Sequence, residues 1–241
     1  MSTTAAAKMK DKIEKLLAKA ERTDNDHERD AFTAAAQRLM LEYGIAEADL
    51  EARGEATRED IVEEHRIYRG GMADAMVTFA HQVALGMGNL RTFKTTYRAT
   101  RTIWVIGHTT DVSNFWTLMN SLELQVAAAR RHWVDSDLFY PELTKWEQHK
   151  AQRQFTMSFG TECGRRLRKL RTEVQAEATP GAALVLVSKQ EAVDTYTDTR
   201  HNLRGTRGIS GGHGGAAGRD AGNRANLGGK GISGGAKGQL R

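Results

Sequence analysis

Between Val112 and Trp133 large apolar side chains return every three or four residues: Val112, Phe115, Trp116, Met119, Leu122, Val126, Ala129 and Trp133. That spacing gathers them onto one side of a long α-helix, and a stripe so long is stable in water only against a matching surface. Thr109 or Thr110 is placed to cap its start. A second long helix is expected from about residue 142 to 174, after the turn containing Pro141, with Phe155, Phe159, Cys163, Leu167, Leu170 and Val174 on its stripe. Gly160 and Gly164 sit beside that stripe. Two glycines four apart weaken a soluble helix, so their benefit is the close approach of a neighbouring helix or strand.

Strands precede these helices. IVEEHRIYRG reads as a strand that stops at Gly70-Gly71, LRTFKTTY and RTIWVIGH read as two more with a turn near Ala99, and a helix bearing Met76, Phe79, Val83 and Met87 ends at Gly88. ALVLVSK, residues 183–189, reads as a short buried strand after a Pro180-Gly181 turn, followed by a brief helix from QEAVDTYTDTR. From Gly205 onward 14 of 37 residues are glycine, a composition that cannot offset its own ordering entropy. This tail is expected to be largely flexible, with room only for a turn or two of helix at 216–227.

Upstream, Ile13, Leu16, Leu17 and Ala20 form a narrow stripe opposite Lys8, Lys10, Lys12, Lys15 and Lys19. After the polar turn TDND, Phe32, Ala35, Ala36, Leu39, Met40 and Tyr43 line a second helix that Gly44 is expected to end, with a short helix over roughly 46–54 to follow. The second helix carries Glu28, Asp30 and Glu42 beside its basic residues, which suits packing better than the reading of base edges. The fold class is therefore α+β: a helical hairpin module at 1–54, a helix-rich α+β domain with a small sheet at 61–204, and a glycine-rich basic tail at 205–241.

Charge is uneven along the chain. Residues 1–70 carry 12 basic and 16 acidic side chains, 71–204 carry 17 and 13, and 205–241 carry 6 and 1. A basic excess in the middle and the tail points to a polyanion, because Lys and Arg release counterions from phosphate backbones. The densest cluster is GRRLRKLR, residues 164–171. Arg165, Arg166, Arg168, Lys169 and Arg171 spread there over a helical face while Leu167 and Leu170 keep the apolar stripe. In the tail, Arg207, Arg219 and Arg224 are separated by glycines in the manner of a flexible nucleic-acid arm, although no aromatic residue is present there to stack on bases.

Catalytic motifs are sparse. Eight histidines are scattered with no His-Glu-x-x-His pattern, one cysteine rules out a cysteine-built zinc site, and Ser158 lies in no nucleophile elbow. His108, after the strand TIWVIG, and Asp111, three residues on, occupy a place where α/β enzymes often keep catalytic groups, and where a helix cap is equally at home. No metal or cofactor is called for. No apolar run is long enough to span a membrane and no leader pattern opens the chain, so a bacterial cytoplasm is the expected compartment.

With these elements placed, KIEKLLAKAERTDNDHERDAFTAAAQRLMLEYGI resembles the N-terminal signature of an uncharacterised bacterial and bacteriophage family, a domain of unknown function. The signature is a Lys-Ile-x-x-Leu-Leu-x-x-Ala run followed by Glu-x-x-x-Ala-x-x-x-Ala-x-x-Leu-Met and a glycine. Lys12, Ile13, Leu16, Leu17, Ala20, Ala31, Ala35, Leu39, Met40 and Gly44 hold the matching positions, and the acidic residue is either shifted to Glu28 or altered by Arg29 and Asp30. QFTMSFGTECGRRL, ALVLVSKQEAV and AAGRDAGNRANLG look like the companion C-terminal domain. The resemblance implies a helical hairpin joined to an α+β domain and a phage or mobile-element setting, and it carries no mechanism.

Three functions follow as expectations. The first is a non-enzymatic phage or prophage accessory protein that binds nucleic acid weakly through the basic helix and tail. The second is a protein-interaction module that modulates a host or phage enzyme through the hairpin. The third is an enzyme with chemistry around His108 and Asp111. The sequence leaves the oligomeric state open.

Overall fold

The computed structural model describes residues 3–23, 26–136, 142–203, 213–225 and 227. In chain order they form α1 (Thr3–Arg22), α2 (Asp26–Ala52), β1 (Ile61–Arg69), α3 (Ala73–Met87), β2 (Leu90–Tyr97), β3 (Thr100–His108), α4 (Thr109–Val134), α5 (Lys145–Gln175), α6 (Pro180–Arg200) and α7 (Gly215–Arg224). The arrangement is α+β, with the three strands in one antiparallel sheet of order β1-β3-β2.

Side-chain alternation splits the sheet into two faces. Val62, Ile103, Val105 and Leu90 turn toward the helices and join the main core, where Phe79 from α3, Phe115 from α4 and Phe155 and Phe159 from α5 are almost fully buried. α5 runs through the centre of this core. A Cβ on its Gly164 would lie 2.2 Å from the Gln82 carbonyl oxygen of α3, and one on Gly160 would lie 2.7 Å from the Phe79 Cα. The expected close approach is thus with α3. The apolar stripe of α4 is buried as the spacing predicts, with Val112, Phe115, Met119, Leu122 and Val126 at its centre. α5 begins at Lys145, where Thr144 and Glu147 form a reciprocal capping box: the Thr144 side chain accepts from the Glu147 amide at 3.3 Å and Glu147 accepts from the Thr144 amide at 3.0 Å.

Four expectations need correction. ALVLVSK is not a strand, because residues 180–200 form the single helix α6. Thr179 caps it by accepting from the Ala182 amide at 3.2 Å, and Pro180 suits its first turn. Ala182, Lys189, Val193 and Thr197 are buried at helical spacing while Leu184 stays 72% exposed, so the apolar run straddles a helix surface. Gly44 does not end α2, which continues to Ala52 and buries Ala48 completely. Helix continuation across a glycine costs about 1 kcal/mol, and packing of the second half of α2 against α6 outweighs it. Neither threonine caps α4; Glu59, from the loop before β1, accepts from the Thr110 amide at 2.9 Å instead.

The fourth concerns the tail. Residues 215–224 are a helix packed on α5, and Ala221, Ala225 and Leu227 belong to the main core. Glycine makes this packing tight: a Cβ on Gly218 would lie 2.2 Å from the Phe155 carbonyl oxygen, and one on Gly222 would lie 2.6 Å from that of Phe159. The other tail residues, 205–212, 226 and 228–241, lie outside the described residues.

The hairpin keeps a small core of its own, Ile13 and Leu17 of α1 against Ala36 and Met40 of α2. α2 is then tied to the start of α6 by Thr179, whose hydroxyl donates to Asp49, and by Arg38 at 3.6 Å from Glu177.

Candidate functional site

The basic cluster of α5 divides in two. Arg166 turns inward toward α7, and its Nη1 donates to the carbonyl oxygens of Gly222 at 2.9 Å, Asn223 at 2.8 Å and Ala225. It therefore closes the C-terminal end of α7, where a helix has unpaired carbonyls and favours a cation. Arg171 packs over the end of α3, so close that a Cβ on Gly88 would meet its Nη1. Burial, then the neighbouring Arg168, lowers its pKa. Arg166 thus links α5 to α7, and Arg171 is half-buried against the end of α3.

Arg165, Arg168 and Lys169 face solvent. α7 brings Arg219 and Arg224, also exposed, onto the neighbouring surface. The five are exposed on two helices packed together, from segments about fifty residues apart in sequence. Glu162 lies among them. Arg165 grips it with Nη2 at 2.5 Å and Nε at 3.0 Å, and this hydrogen bonding, with the charges of Arg165, Arg166 and Arg219, holds its carboxyl below the ordinary range. Glu173 lies 3.9 Å from Lys169, an exposed pair of little energetic weight. Arg207 lies outside the described residues.

A second place combines polarity with burial. Where the hairpin meets α4, α5 and α6, a cavity of about 60 Å³ is lined by Gln37, Met40, Asp111, Leu118, Arg171 and Leu186, among others. Gln37 is 2% exposed, and neither atom of its amide has a hydrogen-bond partner. Burial raises the Asp111 carboxyl to about 7, against the opposing pull of Lys189 and with help from Glu59 and Glu47. His108, one turn away, is 1% exposed. Its Nδ1 donates to the Glu59 carbonyl oxygen at 2.8 Å, which fixes the tautomer and leaves Nε2 bare and unpartnered. Burial lowers its pKa, against the opposing effect of the hydrogen bond to Glu59.

His108 and Asp111 thus lie together at the start of α4, where burial lowers the pKa of the first and raises that of the second to about 7. The sequence did not single out Gln37 or Lys189, which converge on this region from α2 and α6. Cys163 is fully buried, its thiol pushed far up by burial and pointed at the Gly222 carbonyl, which makes it a packing residue. Among the described residues no group of three or more His, Cys, Asp or Glu side chains could hold a metal ion, and no helix is long and apolar enough to cross a membrane.

The residues that carry the family resemblance lie in the hairpin, and most of them build its core: Ile13, Leu17, Ala20 and Met40 are buried, and Leu16, Ala35 and Leu39 are half-buried. No curated protein and no solved structure matches the chain. Residues 8–47, within the α1–α2 hairpin, match the model of the family described as protein of unknown function (DUF2786), which supports the resemblance of this N-terminal unit to an uncharacterised domain family.

Proposed function

We propose that the protein binds nucleic acid, weakly and without strong sequence preference, through the solvent-facing side of the α5–α7 pair. It would act as a non-enzymatic accessory protein in a phage or prophage setting. The observation that supports this reading is the exposure of Arg165, Arg168 and Lys169 on α5 and of Arg219 and Arg224 on α7, two helices packed together. Side chains spread over a convex helical surface suit phosphate contact, which positions a duplex without reading its bases. Three carboxylates accompany the five cations, Glu162 bound by Arg165, Glu173 at 3.9 Å from Lys169 and the exposed Asp220, so the surface remains basic. The phage setting rests on the hairpin's resemblance alone.

The test is fluorescence anisotropy with labelled duplex DNA at two salt concentrations, for the wild-type chain and for Arg168→Glu/Lys169→Glu. Wild-type binding should weaken steeply with salt. The double variant should bind at least tenfold more weakly, and its salt slope should fall by about one for each phosphate it no longer neutralises. An unchanged slope would overturn the assignment of this face.

A further inference from the structure

The sheet face turned away from the main core carries rings in register. His65 on β1, Trp104 on β3 and Phe93 on β2 are direct cross-strand partners. The His65 and Trp104 ring centres lie 4.4 Å apart, while those of Phe93 and Trp104 are 5.8 Å apart and the rings nearly parallel, at 4°. His201, just past the end of α6, closes the row at 4.6 Å from Phe93. Two residues along each strand, Ile67, Thr102 and Thr95 make a second row, and two further on Arg69, Thr100 and Tyr97 make a third. The rows of Trp104 and Tyr97 are roughly 13 Å apart at the rise of a strand.

α6 covers only one end of this face. There Ile106 is fully buried, Arg91 pairs with Asp194 at 3.4 Å and Asp198 at 3.2 Å, and Glu63 pairs with His201 at 3.0 Å. The other end is open: Ile67 is 46% and Tyr97 69% exposed. Its charge is positive. Arg69 stands in the third row, and the Arg98 guanidinium lies 5.3 Å from the Tyr97 ring centre. Among the described strand residues on this face the sole carboxylate is Glu63, at the covered end and already paired.

We infer that the open end of this sheet face is a binding platform for single-stranded nucleic acid, with a base stacked on Tyr97 and the backbone held by Arg69 and Arg98. Rings that stand out of a sheet beside arginines accept any base, because every base presents a π face, whereas a duplex keeps its bases stacked inside and offers them nothing. A second copy of the chain fits less well, since it would bring Arg69 and Arg98 against like charges. The inference rests on the nucleic-acid reading above but on different residues, and it specifies the form of nucleic acid.

The full-length chain is titrated by fluorescence anisotropy with a labelled oligothymidylate strand and with a duplex of equal length. The proteins compared are wild type, Tyr97→Ala, Arg69→Gln and Arg168→Glu/Lys169→Glu. Tyr97 is 69% exposed, so its replacement spares the fold, which far-ultraviolet circular dichroism verifies. Tyr97→Ala should weaken strand binding about five- to tenfold and leave duplex binding unchanged, with Arg69→Gln acting in the same direction. The α5 double variant should weaken both. Unchanged strand affinity in Tyr97→Ala, or an equal loss for strand and duplex, overturns the platform and leaves the α5–α7 reading to its own variant. A shift of oligomeric state in Tyr97→Ala without loss of strand affinity overturns it in favour of self-association. No binding of either probe by the wild-type chain at low salt overturns both readings.

Discussion

In the N-terminal hairpin α1 meets α2 through side chains, Ile13 and Leu17 against Ala36 and Met40, whereas α5 meets α3 and α7 through backbone at Gly160, Gly164, Gly218 and Gly222. The first junction is small and adaptable. The second is large, since it is continuous with the aromatic core, and it has no flexible side chain at the point of closest approach to give way. The family signature falls entirely on the adaptable unit, where its apolar positions encode packing. The charged and aromatic surfaces that suggest binding lie on the body that the signature does not reach. A shared hairpin is thus a shared way of packing two helices, and it says little about what the attached body binds.

The sharpest way to probe this contrast is one deletion made in each core. Leu122→Ala, in the fully enclosed stripe of α4, is expected to cost about 4 kcal/mol, and Leu17→Ala about 2 kcal/mol, because α1 can settle onto α2 and shrink the cavity. Urea unfolding measures both. Hydrogen exchange should show the Leu17 effect confined to α1 and α2, and equal losses spread over the whole chain would erase the distinction. Next in size is Gly218→Val, which sets a branched side chain against the Phe155 carbonyl. A loss of about 3 kcal/mol is expected, with faster exchange in α7 and beneath it. A neutral result would mean that α7 can slide, and that this junction is adaptable after all.

The smallest effect belongs to the seam between the two regions, and its sign is opposite. The Asp111 carboxyl is raised from 3.8 to about 7, so the folded state binds its proton more tightly than the unfolded state. The stability linked to that proton is fully present below about pH 4 and is lost as pH rises through 7. Asp111→Asn should remove the loss. It should gain about 2 kcal/mol over wild type at pH 8, a value discounted for a half-buried group, and nothing at pH 4. Thermal unfolding at both values checks it, and a parallel pH dependence in wild type and variant would place the titration elsewhere.

Much of the body was legible because periodicity is a local signal. The strands at 61–69, 90–97 and 100–108, the stop at Gly88 and the stripes of α4 and α5 all follow from spacing. α6 was not legible from ALVLVSK, because a short apolar run fits a buried strand and a helix surface equally well, and the Thr179-Pro180 start is the feature that decides. α2 runs on through Gly44 because packing overrides a local stop signal. In the basic cluster the residue types could not separate the inward-turned side chains from the exposed ones. Arg166 spends its donors on carbonyls 56 and more residues downstream, which no local pattern reveals. A usable signal did exist in the tail, where Gly214, Gly218 and Gly222 recur every four residues like Gly160 and Gly164. The ring row of His65, Trp104 and Phe93 required the strand register, which a single sequence does not supply.

The docking of α7 on α5 also bears on how the chain assembles as it is made. The strip of α5 that receives Gly218 and Gly222 is complete at Cys163, yet the first residue of α7 is Gly215. About fifty residues separate them, a delay of roughly 3–10 s at ordinary rates of synthesis. Throughout that interval the side of α5 bearing the backbone of Phe155 and Phe159 has no cover from its own chain, and a chaperone or another nascent chain can reach it first. Arg166 waits on the same side, and its three carbonyl partners arrive together with the helix that covers the strip.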